Sequence, residues 1–173
     1  YAPYDELFGT ARLAGALGQL IKAGRCRDLT EHCARAAELC LANLSQARLA
    51  PEFWIKELAW AWAVLKDWLP QTRRRAWTRA VNRHDPRSQY HCTANDTHTN
   101  VATFALLAEA AKRNAGFNAD ERLMEDIIAD QLRRGLFTGH GLYKDPHCPM
   151  TYALVVAQQW DMLLEWGYDG PWR

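Results

Sequence analysis

The sequence predicts an all-α fold, and three observations carry that reading. Apolar residues recur at helical spacing over seven stretches, Gly and Pro fall between those stretches, and strand signals are weak throughout. Hydrophobic residues make up 49% of the 173 residues and eight are Trp, enough for one domain, residues 1–173, with a large aromatic core. The formal charge of +1 gives no global attraction to nucleic acid or to an acidic membrane. No apolar run is long enough for a spanning helix.

The elements follow in order. The first helix runs from about Asp5 to Ala23 and stops at Gly24, and the second from about Leu29 to Ser45. Pro51 opens the third at a position where the missing N–H costs nothing. Pro70 ends that helix and begins the fourth, to about Arg83. Thr97 or Thr99 caps the fifth, which ends before Gly116, and Asn118 or Asp120 starts the sixth, ending near Phe137. The seventh follows Pro149 and closes at Gly167, a residue suited to a left-handed cap.

The distribution of apolar residues separates these helices into two kinds. The third (Phe53, Trp54, Leu58, Trp62, Leu65), the fifth (Val101, Phe104, Leu107) and the seventh (Tyr152, Val156, Trp160, Leu163) are apolar nearly all round. The second, fourth and sixth have one apolar stripe and one charged face. Odd helices are therefore expected to form an inner layer and even helices an outer one, joined as antiparallel hairpins. Connections within a hairpin are short. The long ones, residues 84–97 and 139–149, run from an outer helix to the next inner helix and so gather above the inner helix N-termini. The hairpin unit repeats at roughly 45–50 residues.

Those two connections carry His84, His91, His140 and His147, with His98 one residue beyond the first, besides Asn95, Asp96, Tyr143 and Asp145. The segments Asn95-Asp96-Thr97-His98-Thr99-Asn100, Gly141-Leu142-Tyr143-Lys144-Asp145-Pro146 and Gly167-Tyr168-Asp169-Gly170-Pro171 each stand at an end of an inner helix. In this layout the chain resembles α/α-toroid carbohydrate-active enzymes, specifically heparinase II/III-like polysaccharide lyases and related glycoside hydrolases. The resemblance implies part of an (α/α)6-type toroid. Seven helices amount to roughly half of such a ring, so the chain is expected to be the N-terminal part of a larger catalytic domain that the rest of the polypeptide completes.

The resemblance also implies a chemistry. Helix N-termini favour anions, and an acidic sugar such as a uronate suits that field. For a lyase, Asn95 or Asn100 would steady the carboxylate, with His98 as base and Tyr143 as acid. A hydrolase needs two carboxyl groups across the bond, which Asp96 and Asp145 would supply. His147, Tyr152 and Trp54 are further substrate-binding candidates, Trp54 as a ring near the loop end. Structural roles stand beside these: Asp96 as a helix cap, Asp145 as a turn residue before Pro146, and Tyr143 as cover for the core edge.

The expected function is thus a glycan-cleaving lyase or hydrolase with a carbohydrate substrate, no nucleic-acid or membrane partner, and no cofactor. The alternatives are a non-catalytic helical scaffold binding a protein, or a zinc-dependent toroid enzyme using His91-Cys92, His147-Cys148, His98, His140 and Asp145. Cys26, Cys33 and Cys40 fall seven apart, as small core residues rather than a disulfide framework. The arginines from Arg73 to Arg87 are read as a solvated outer surface.

Overall fold

The computed structural model describes residues 3–45, 50–90, 99–145, 149–165 and 167. Among these residues the chain is all-α, with α1 (Pro3–Lys22), α2 (Thr30–Ala42), α3 (Ile55–Leu65), α4 (Gln71–Asn82), α5 (Pro86–Gln89), α6 (Thr99–Ala115), α7 (Glu121–Arg133) and α8 (Pro149–Glu165). Phe137 and Tyr143 form an isolated antiparallel bridge. No helix among the described residues is long and apolar enough to cross a membrane.

Helix ends follow local chemistry. Asp120 caps α7 by accepting from the Leu123 N–H at 2.8 Å. α7 stops at Arg133, short of the expected Phe137, because Gly135 takes a left-handed φ of 62° and redirects the chain. The short α5 was not expected. Asp85 caps it by accepting from the Arg87 N–H and the Ser88 hydroxyl, and Pro86 holds its first position.

Contacts order the helices in two layers. α1, α3, α6 and α8 pack in sequence, α3 on α1, α6 on α3 and α8 on α6. α1, α3 and α6 run parallel: Phe8 meets Phe53 and Gly18 meets Ala61 across one junction, while Phe53 meets Phe104 and Trp62 meets Ala115 across the next. α2 lies antiparallel to α1, since the Cys33 thiol donates to the Ala14 carbonyl and the Cys40 thiol to Leu7. Burial pushes these two thiols up to about 11 and about 12, which keeps them protonated and inert. α2 is tied to α4 by Arg73, which donates to both Glu38 oxygens (2.7 and 2.9 Å) and to Glu31 (2.8 Å), so this arginine is a clamp rather than solvated surface. Arg74, Arg75, Arg79 and Arg83 are exposed as expected.

The inner helices differ in how completely they are covered. α3 buries eight of its eleven residues, and α6 is buried without a break over residues 105–112. Around α3, the rings of Trp62, Trp77 and Phe117 form one cluster. α8 departs from the expectation of burial on both sides. Val156, Gln159 and Leu163 are buried, whereas Leu154 is 74% exposed and Met150 84%. Among the described residues it packs chiefly on α6, so one stripe is enclosed and the opposite stripe faces solvent.

The first long connection begins as a packed brace, not an open loop. His84, Pro86 and Tyr90 are buried, and the Tyr90 hydroxyl donates to Glu109 on α6 at 2.5 Å. The same carboxylate accepts from Lys112 at 2.9 Å and from the Asp120 N–H at 2.7 Å. Its neighbour Arg87 grips Asp120 through two nitrogens (2.6 and 3.1 Å) and reaches Asp126. Residues 84–90 thereby lock α4 to the α6–α7 turn.

Candidate functional site

The inner layer presents a polar group where the sequence looked uniformly apolar. On α3, Glu57 and Ala61 abut Gly15 and Gly18 of α1, and Trp62 meets α4 and the end of α6. The remaining side of that helix carries Lys56 and Trp60, one turn apart, with the Lys56 ammonium 5.3 Å from the centre of the Trp60 ring. Phe53 lies above them. Its ring, in the turn that leads into α3, packs against Phe8 of α1 (6.3 Å) and Phe104 of α6 (4.9 Å), so one row of rings crosses all three elements. Arg12 stacks over Phe8 at 4.1 Å, and the half-buried Asn100 stands one turn above Phe104 on the same stripe.

Lys56 and Glu57 form a buried ion pair at 3.2 Å. Burial raises the Glu57 carboxyl above the ordinary carboxylate value, and Lys56 and then Arg12 pull it part of the way back. The carboxylate fits because α1 has no side chain at position 15. A methyl group built on Gly15 would overlap Glu57 Oε2. The result is a carboxyl with a raised proton affinity, two cations and several ring faces gathered where α1, α3 and α6 pack side by side, with Lys56 and Glu57 themselves only 8% and 6% exposed. Such a set has the charge to attract an anion and a carboxyl able to exchange a proton.

Of the residues singled out from the sequence, Asn100 is half-buried in the first turn of α6, one turn before Phe104. Trp54 lies outside the group: it is 0% exposed and packs in the core, so no ring face is open to a ligand. Tyr143 is buried on the wall of a different cavity, between α7, residues 136–144 and α8, to which no residue of α1 or α3 contributes. Asp145 is buried just after it, and Tyr152 is half-buried in the first turn of α8. Asn95, Asp96, His98 and His147 lie outside the described residues, as do His91, Cys92 and Cys148 of the zinc alternative. Among the described residues no cluster of three or more His, Cys, Asp or Glu side chains is placed to hold a metal.

Arg12, Lys56 and Glu57 were not recognised from the sequence, whereas Trp60 stood with Trp54 and Trp62 among the inner-helix rings that could stack on a sugar. The signal was a Lys-Glu pair set in the apolar run from Phe53 to Trp68, a place where charge is costly unless paired or used. No family model, curated protein or solved structure matches the chain.

Proposed function

We propose that the chain supplies part of the catalytic domain of an α/α-toroid enzyme that cleaves glycans containing acidic sugars. One observation supports this most: cations, ring faces and a buried carboxyl stand together where the parallel helices α1, α3 and α6 pack side by side. Rings suit the apolar faces of pyranoses. Arg12 and Lys56 supply positive charge for a uronate carboxylate, and Asn100 a neutral donor beside it. Glu57, whose proton affinity burial raises above that of an ordinary carboxyl, supplies the proton for the leaving oxygen, and Lys56 holds the charge left behind. This places on Glu57 the acid role that the resemblance gave to Tyr143. The partner role, a base at the sugar or a second carboxyl, falls to His98 or Asp96 in the strip that precedes α6.

The edges of the array support further hairpins of the same polypeptide joining it. Leu13 and Leu20 on α1, and Met150 and Leu154 on α8, are exposed apolar side chains at opposite ends of the inner row. The test is turnover of uronate-containing glycans by the full-length protein, followed through both unsaturated products and new reducing ends. Glu57→Gln and Lys56→Met are each expected to lower turnover by about a hundredfold or more, with folding intact by circular dichroism. Untouched glycans, or variants acting at the parent rate, would refute the reading.

A further inference from the structure

A second site lies at the α7–α8 junction; Tyr143, to which the resemblance gave an acid role, lines it, but Arg12, Lys56, Glu57 and Asn100 do not. After α7 the chain doubles back tightly. The Thr138 N–H donates to the Leu142 carbonyl and the Lys144 N–H to Leu136, while the Thr138 hydroxyl oxygen accepts from the N–H groups of His140 and Leu142. This turn stands away from α8 and leaves a cavity of about 730 Å³ between them, within the range of small-molecule sites.

Three rings line it. Phe137 is edge-on to Tyr143 (5.7 Å, 64°) and to Trp160 of α8 (6.2 Å, 77°). Leu132, Leu142 and Leu164 line it too, and each is exposed to solvent. Among the described lining side chains Asp161 alone bears a charge at neutral pH, and none is Lys or Arg. Gln131, 1% exposed, adds a neutral amide to the wall.

We infer that this cavity binds a small alkylated ammonium ligand. Aromatic walls attract a cation through their ring faces, and a single carboxylate fixes the sign of the charge that is welcome. A primary ammonium or guanidinium needs several hydrogen-bond acceptors in place of its water, and these walls are mostly apolar. A quaternary ammonium needs none, and its methyl groups match the apolar lining.

The experiment is isothermal titration of the whole protein with choline, tetramethylammonium and 3,3-dimethylbutan-1-ol, the uncharged isostere of choline. Choline and tetramethylammonium are expected to bind, and the isostere at least about tenfold more weakly. Choline should shift the indole N–H resonance that disappears in Trp160→Phe. Asp161→Asn, at an exposed position, should weaken choline binding about three- to tenfold and leave the isostere unaffected. Should Trp160→Phe fail to fold, Asp161→Asn still decides the matter. Equal binding of choline and its isostere would make this an apolar pocket only. Absence of binding by all three, or self-association through this groove that choline does not alter, would overturn the inference.

Discussion

α6 and α8 have the same length, and both look apolar nearly all round in the sequence, yet they occupy different environments. α6 packs against α3, α7 and α8 and is buried without a break through its middle. α8 packs chiefly on α6 and leaves Leu154 and Met150 in solvent. An apolar circumference states what a helix requires, not what it has been given. The polar residues sharpen the contrast. On α6 the buried Glu109 and Lys112 satisfy each other, whereas on α8 the buried Gln159 Oε1 finds no hydrogen-bond donor among the described residues.

This comparison can be broken in order of expected effect. Glu109→Ala should destabilise the protein most, by about 3–5 kcal/mol, because it strands a buried ammonium and removes the Tyr90 acceptor. Leu106→Ala, also on α6 and fully buried, should cost about 2–5 kcal/mol. Both are read from urea denaturation midpoints at constant slope. The mirror substitution Leu154→Ala on α8 should stay within about 0.5 kcal/mol of the parent. A loss on α8 as large as that on α6 would mean its outer stripe is covered after all.

Acid provides a further probe of the α6 side. Burial, with Lys112 adding to it, lowers the His84 imidazole to about 3, against the pull of Asp85. The folded state therefore favours neutral His84. Its contribution is complete above its ordinary value of 6.5 and is withdrawn as pH falls from there toward about 3. Glu38 and Asp120, held below their ordinary values chiefly by Arg73 and Arg87, lose their contributions only at lower pH, below about 4. Denaturation midpoints measured between these limits should fall with acidification in the parent and fall less in His84→Leu. Equal slopes would show that His84 is already solvated.

What the sequence revealed was mostly local. Gly24, Gly116 and Gly167 mark helix ends by left-handed φ, Asp120 caps α7, and Cys33 and Cys40 sit in the core, all consequences of neighbouring residues or of a simple stripe. α5 also had a local signature, Asp85-Pro86 followed by Ser88, but its four residues show no hydrophobic period. The site was less legible because its parts come from separate helices. Glu57 depends on a glycine forty-two positions earlier, and Phe53 on rings from α1 and α6. Trp54 was misplaced for the same reason: composition does not say which Trp on a helix faces inward and which outward. The fate of α8 turned on the number of its neighbours, which no property of residues 149–165 encodes.

Gly15 carries a consequence for how this chain tolerates change. A single added carbon there leaves the helix propensity of α1 intact or improves it, yet it acts as a wedge against the Glu57 carboxylate. Such a substitution would pass unnoticed in any inventory of secondary structure while shifting the acid along or away from its lysine. The inner layer therefore has a tuning point in a residue that possesses no chemistry of its own.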